Sequence, residues 1–155
     1  MHLYETHLAV ANTESASRFY IDVVGLEYAC RDRTRDIVFL WAGSGRRSML
    51  GLWGPGTEYG EPIRKCHIAF AISLPELLTT GERLRQHGVK CYNFLREETV
   101  EPSVIGWMPS AQLYFSDPDG HSLEFIALLD DPADPKFIGS LSGWRSRAER
   151  SDEEI

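Results

Sequence analysis

The chain has 155 residues, 43% of them hydrophobic and 25% charged, with a formal net charge of −7. That length suits one compact domain burying roughly two-thirds of its unfolded surface. The acidic balance leaves no basic field to neutralise phosphate, which argues against nucleic acid or an anionic membrane as partner.

Leu3 to Ala11 alternates as a half-buried strand does. Asn12 or Thr13 then offers a short side-chain oxygen to the first free amides of a helix. Ala16, Phe19, Tyr20, Val23 and Val24 form its apolar face, and Gly25 ends it. Strand candidates follow at Leu26–Cys30, Ile37–Trp41 and Ser48–Trp53, divided by polar or glycine-rich turns. The basic run from Arg31 to Arg35 is broken by Asp32, and Arg46-Arg47 is only a pair, so both read as solvated loop charge. Module one, about residues 3–54, is therefore β-α-β-β-β.

Module two, about residues 65–128, repeats the order. Lys65 to Ile72 is a strand, and Ser73-Leu74-Pro75-Glu76 is a capping box with proline in the first turn. Leu77, Leu78 and Leu84 make the buried stripe of a helix that Gly88 closes. Strands are expected at Val89–Phe94, Gln112–Phe115 and Ser122–Leu128, with Asp117-Pro118-Asp119-Gly120 turning between the last two. Arg96 to Ser110 reads as a loop with some apolar packing around Trp107 and Met108.

Residues 1–135 are expected to form the single domain, and residues 136–155 a partly disordered tail. In that tail Phe137, Ile138, Leu141 and Trp144 would dock on the body or on a second subunit, and disorder is expected from Arg145 onward. Cys30, Cys66 and Cys91 are odd in number and lack metal-type spacing. We read them as reduced thiols of a cytoplasmic protein. No run approaches the length of a membrane span.

The two modules match residue by residue. Glu5-Thr6-His7-Leu8-Ala9-Val10 superposes on His67-Ile68-Ala69-Phe70-Ala71-Ile72, which sets Glu5 opposite His67. At the last strands Gly51 falls opposite Glu124. The repeat implies an α+β fold of two tandem βαβββ modules. A pseudo-twofold relation would turn Glu5, Gly51, His67 and Glu124 toward one cavity: three metal-capable side chains and one empty position. Catalytic metals keep such positions open for water or substrate.

An isolated Glu124 would pair with an arginine such as Arg47, and an isolated His67 would be a core histidine. Glu124 instead sits in an apolar strand, where a lone carboxylate wants a cation, and the repeat register aligns it with His67. His7 shares the strand face of Glu5. It is either a ligand that replaces or joins Glu5, or a general base beside the metal. With Glu5 the donors are one imidazole and two carboxylates, suited to Mn²⁺, Zn²⁺, Ni²⁺ or Fe²⁺. With His7 in its place they become two imidazoles and a carboxylate, the facial triad of non-haem iron. His2, His87 and His121 carry less weight, the last as a hairpin or supporting residue. Trp53, Trp107 and Tyr114 are candidates for an apolar pocket.

Phe19-Tyr20 through Val24-Gly25-Leu26, His67-Ile68-Ala69-Phe70 and Asp117-Pro118-Asp119-Gly120-His121 ending in Glu124 carry a resemblance. The chain resembles the vicinal oxygen chelate superfamily of glyoxalases, bleomycin-resistance proteins and extradiol dioxygenases, from about Leu3 to Leu128. The resemblance implies metal ligands at His67 and Glu124, a module-one ligand at Glu5, and a substrate-side residue at His7. It also implies a functional tyrosine at Tyr114. A metal-dependent enzyme follows, acting on a small molecule with neighbouring oxygens by lyase or isomerase-type proton transfer. Extradiol cleavage of a catechol, or metal-free sequestration of a drug-like ligand, are the alternatives. Gly51 stands where glyoxalase I carries an acidic ligand, which sets this chain apart from that enzyme. Members of the superfamily often pair, which implies a homodimer.

Overall fold

The computed structural model describes the backbone of residues 1–152 and the side chains of residues 1–147. Two compact units emerge. The first comprises Met1–Cys66 with Asp117–His121, and the second His67–Ser116 with Ser122–Ile155.

In the first unit, β1 (Glu5–Ala9) leads to α1 (Thr13–Phe19), then β2 (Glu27–Asp32), β3 (Ile37–Ala42) and β4 (Ser48–Trp53). The Asn12 side chain caps α1 by accepting from the Ser15 N–H at 2.9 Å, which satisfies one orphan donor of the first turn. α1 continues as a π-helical turn, Tyr20–Val24. There the Tyr20 carbonyl accepts from both the Gly25 and Leu26 N–H groups. Gly25 has φ +91°, a left-handed conformation that side-chain-bearing residues resist. The sheet order is β1-β4-β3-β2, with β1 parallel to β4 and the other pairs antiparallel. Leu8, Val10, Tyr20, Ile37, Leu40 and Leu52 are fully buried in it.

In the second unit, β5 (His67–Ala71) leads to α2 (Leu74–Gln86), β6 (Ser103–Ile105), β7 (Ser110–Ser116), β8 (Ser122–Leu128), β9 (Ile138–Ser140) and α3 (Leu141–Asp152). The order is β5-β8-β7-β6-β9, with β5 parallel to β8. The expected capping box forms: Ser73 and Glu76 exchange side-chain and backbone hydrogen bonds at the start of α2. Leu77, Thr80, Gly81 and Leu84 supply the buried face, which is the i, i+3, i+4, i+7 pattern of an amphipathic helix. Leu78, expected in that stripe, is exposed, one residue out of helical phase. Leu113, Phe115, Leu123 and Phe125 fill the core, and the last two rings of the β7–β8 pair, Phe115 and Phe125, stack at 5.0 Å.

Three expectations are corrected. Val89–Phe94 is not a strand. It makes only an isolated bridge at Tyr92, to Tyr114 and Glu98, because its backbone is spent on a local turn: Asn93 accepts from the Arg96 N–H with its carbonyl and from the Glu97 N–H with its side chain. The second strand of this unit is Ser103–Ile105 instead, inside the stretch read as a loop. The tail adds β9 to the edge of β6, which covers an otherwise open strand edge. Leu141 and Trp144 are buried, Arg147 lies over the Trp144 ring at 3.7 Å, and its guanidinium meets Asp134 at 2.9 Å. The backbone is helical through Asp152 where disorder was expected from Arg145; residues 153–155 lie outside the described part. Among the described residues no helix is long and apolar enough to cross a membrane.

Candidate functional site

The second unit assembles its site from three strands. His67 opens β5 and pairs with Ser122 in the β5–β8 register, and Glu124 lies two residues along β8, opposite Ala69. Tyr114 on β7 is the antiparallel partner of Glu124. The His67 Nε2 stands 2.9 Å from the Glu124 Oε2, and its Nδ1 is 3.1 Å from the Ser122 hydroxyl. A hydroxyl either donates or accepts, so Ser122 supports whichever imidazole tautomer the other nitrogen requires. Glu124 is only 6% exposed. Burial raises its pKa above the usual carboxylate range, against the opposing hydrogen bonds and charge of His67 and the hydrogen bond of Tyr114. Burial, then the Glu124 carboxylate, raises Tyr114 so that it keeps its proton.

The first unit builds a different arrangement on the same registers. Glu5 pairs with Met49 and His7 with Gly51 across β1–β4, and Phe39 faces Gly51 across β3–β4. The His7 Nε2 and Glu5 Oε1 are 2.6 Å apart, a short charge-assisted contact. The His7 ring packs against Trp53 and Tyr59, with centroids 4.8 and 5.4 Å away. A cavity of about 400 Å³ lies beside it, lined by His7, Tyr59, Arg64, Cys66 and His121 among others.

His121 holds the wall of that cavity. It is fully buried, and its Nε2 lies 2.8 Å from the Ala9 carbonyl. A carbonyl only accepts, so Nε2 carries the hydrogen and Nδ1 accepts the Cys66 N–H at 3.3 Å. The Cys66 sulfur sits 3.4 Å from the same nitrogen. Burial, then the charge of Asp117, pushes that thiol up and keeps it protonated. The turn before His121 is pinned by Asp117, which accepts from the Tyr20 hydroxyl at 2.8 Å and from the Asp119 and His121 N–H groups.

Each unit thus gathers one imidazole–carboxylate pair, Glu5 with His7 and His67 with Glu124. Among the described residues of either unit, no three His, Cys, Asp or Glu side chains form a metal-holding group. The donor chemistry nevertheless fits a divalent ion. Two ligands about 2.1 Å from one ion and at right angles to each other stand about 3.0 Å apart, close to the 2.9 Å between the His67 and Glu124 atoms.

The fallback partner for Glu124, Arg47, is not what holds it; His67 and Tyr114 do. Trp53 is buried against His7, whereas Trp107 is 65% exposed. Sequence reasoning missed Tyr59 and Ser122. Tyr59 lies in an aperiodic connection that gives no phase. Ser122 was signalled by the pairing of its strand with that of His67.

A family model described as the Glyoxalase/Bleomycin resistance protein/Dioxygenase superfamily matches residues 2–125. Among solved structures, the chain is similar to an integron cassette protein from the mobile metagenome of the Halifax Harbour sewage outfall. That likeness has 33% identity and a TM-score of 0.69, and it covers 82% of this chain and 98% of that one. It is also similar to the oxidase ChaP-H2, at 21% identity and a TM-score of 0.65, covering 86% and 98% of the two chains. Lactoylglutathione lyase from Agrobacterium tumefaciens gives 23% identity and a TM-score of 0.61, over 81% and 92%. At the last two identities the likeness is one of fold. Among curated proteins no match is found.

Proposed function

The chain belongs to the glyoxalase/bleomycin resistance protein/dioxygenase superfamily, and from that premise we propose a divalent-metal-dependent enzyme acting on a small molecule with neighbouring oxygens. Its reaction is a proton transfer of the lyase or isomerase kind. The metal donors are drawn from Glu5, His7, His67 and Glu124. One observation carries this reading: a carboxylate buried to 6% exposure, its pKa raised by burial, with an imidazole nitrogen 2.9 Å away. Such a group is costly without a cation to neutralise it.

A bound divalent ion supplies Lewis-acid polarisation of the substrate oxygens. The residues of the chain do the rest. The Ser122 hydroxyl holds the His67 ring through Nδ1, which leaves Nε2 free to act beside Glu124. The protonated Tyr114 hydroxyl orients the Glu124 carboxylate. His7, which lines the first-unit cavity, or Glu5 2.6 Å from it exchanges the substrate proton, whichever of the two does not hold the ion. Trp53 and Tyr59 flank His7 and keep that imidazole on an apolar wall.

Dialysis of the full chain against Mn²⁺ or Zn²⁺, followed by elemental analysis, tests the reading. One ion per chain, lost in His67→Ala and Glu124→Ala, is expected. A wild-type chain that retains none would leave a small-molecule binding protein in place of the enzyme.

His7 on the same strand face as Glu5 favours one second reading, a two-imidazole set suited to Fe²⁺ and extradiol cleavage of a catechol. Oxygen uptake by Fe²⁺-loaded protein with catechols would support it; none with any catechol would remove it. We further propose that the chain is a homodimer, to be checked by sedimentation.

A further inference from the structure

We propose that Phe94 is a specificity-determining residue: it holds an aryl ring of the substrate beside the oxygens that the His67–Glu124 pair handles. This rests on the metal reading above and deepens it by naming the chemistry of the rest of the substrate.

Phe94 is set in place by backbone committed to a tight turn. Tyr92 exchanges both backbone hydrogen bonds with Tyr114, at 2.8 and 2.9 Å, which joins the segment to β7 at the residue opposite Glu124. Asn93 and Glu97 close the tip. The Asn93 N–H donates to the Glu97 carbonyl at 3.0 Å, and the Asn93 amide nitrogen donates to the Glu97 carboxylate at 2.7 Å. Arg96 completes the turn at φ +64°, a left-handed conformation that a residue with a side chain keeps only where its surroundings hold it. The Phe94 N–H donates to the Ser103 hydroxyl at 2.9 Å, and Ser103 is itself buried on β6.

A residue so firmly held nevertheless leaves its ring 44% exposed. The ring centroid lies 6.4 Å from that of Tyr114, which lies 6.1 Å from the His67 imidazole. Both separations are those of interacting rings. Three rings thus run from the imidazole to the tip of the turn, and the Tyr114 hydroxyl in the middle bonds to Glu124.

The surrounding face agrees in character. Residues two apart on a strand share a face, so Ile126 follows Glu124 on β8, with Ala69 and Ala71 beside them on β5. Both alanines are exposed and Ile126 is half-buried. Polar groups are therefore gathered at one end, around Glu124, and the surface beyond them is apolar, as a site for a small molecule with a polar reacting end requires. Continuity of the rings with the Glu124 carboxylate favours substrate over a second subunit as what covers Phe94.

Two hydroxamates test the inference on the Mn²⁺-loaded full chain, since both chelate through neighbouring oxygens and differ in their apolar group. Calorimetry should find benzohydroxamate bound about tenfold more tightly than acetohydroxamate. Phe94→Ala should cut that preference to about twofold, with acetohydroxamate affinity, Mn²⁺ affinity and sedimentation all unchanged. Phe94→Tyr should restore it. A wild type that favours neither hydroxamate or binds neither would overturn the inference and leave the metal reading intact. So would an unchanged preference in Phe94→Ala, or an equal loss of both ligands. Slower sedimentation of Phe94→Ala would overturn it too and assign the ring to a subunit contact. If that variant does not fold, Phe94→Leu, which keeps apolar bulk without the ring, decides in its place. A wild-type chain that binds no Mn²⁺, Zn²⁺, Ni²⁺ or Fe²⁺ would end both.

Discussion

In the second unit the residue beside Ala69 is a buried glutamate backed by a tyrosine; in the first, the residue beside His7 is a glycine backed by a phenylalanine. The backbone pairing is the same, so the difference lies wholly in side chains. It teaches that one strand pairing can carry quite different neighbours, with a glycine where a ring from the strand alongside comes close. Burial differs too. Glu124 is nearly enclosed, while both members of the Glu5–His7 pair keep about a third of their side-chain surface, 33% and 31%.

The comparison can be broken most severely at Glu124. Its replacement by alanine should weaken divalent-metal affinity by about 100-fold or more, beyond the effect of removing a supporting residue, whereas Gly51→Ala should spare the donors themselves. Calorimetric titration of both variants checks this, and equal losses would erase the distinction between the units.

Next in size is Asp117→Ala. It strips the Tyr20 hydroxyl and the Asp119 and His121 N–H groups of their acceptor, at a cost of about 3 kcal/mol for buried donors left unpaired. Urea unfolding measures it, and a loss within experimental error would show that the turn does not hold His121. Gly51→Ala should cost about 1–3 kcal/mol through the contacts its methyl forces on His7 and Trp53. Ala69→Gly, beside Glu124 in the second unit, should cost no more than about 1 kcal/mol.

Smaller effects separate the units at their thiols. Cys30 is exposed and should alkylate within minutes. Cys91 is buried, donates to the Thr99 carbonyl, and has its thiol pushed up by burial. It should stay unmodified until the chain unfolds, as peptide mass mapping will show. The slightest effect belongs to Asp32, whose carboxyl is held below the ordinary range by the Thr34 hydroxyl and N–H and by Arg35. A depressed pKa stabilises the fold above the unfolded value and loses that contribution as pH falls through the folded one. The small advantage of wild type over Asp32→Asn should therefore be full at neutral pH and vanish in strong acid. A melting-temperature difference independent of pH would refute it.

Much of the fold was legible because it rests on local rules. Asn12 and Ser73 announced their helices, Gly25 its stop, and the Asp117–Gly120 turn its hairpin. The repeat placed Glu5 opposite His67 and Gly51 opposite Glu124, and the strand registers carry those correspondences. What was not legible depended on competition between segments. The amide of Asn93 draws Val89–Phe94 into a turn, so pairing passes to Ser103–Ile105, a run too short to show a period. In the tail the docking of Leu141 and Trp144 was legible from their apolar character, but the strand and helix that carry them were not. The reason for Gly51 was hidden as well: a glycine in a strand says that something comes close, and only the register identifies it as His7.

Pulsed electron paramagnetic resonance of the Mn²⁺-loaded chain, detecting imidazole nitrogen bound to the ion, bears most directly on the proposed metal site. One imidazole is expected from His67, beside the Glu124 carboxylate, and it should disappear in His67→Ala. A bound ion with no imidazole nitrogen in its signal, or a signal unchanged by that substitution, would contradict the proposed metal site.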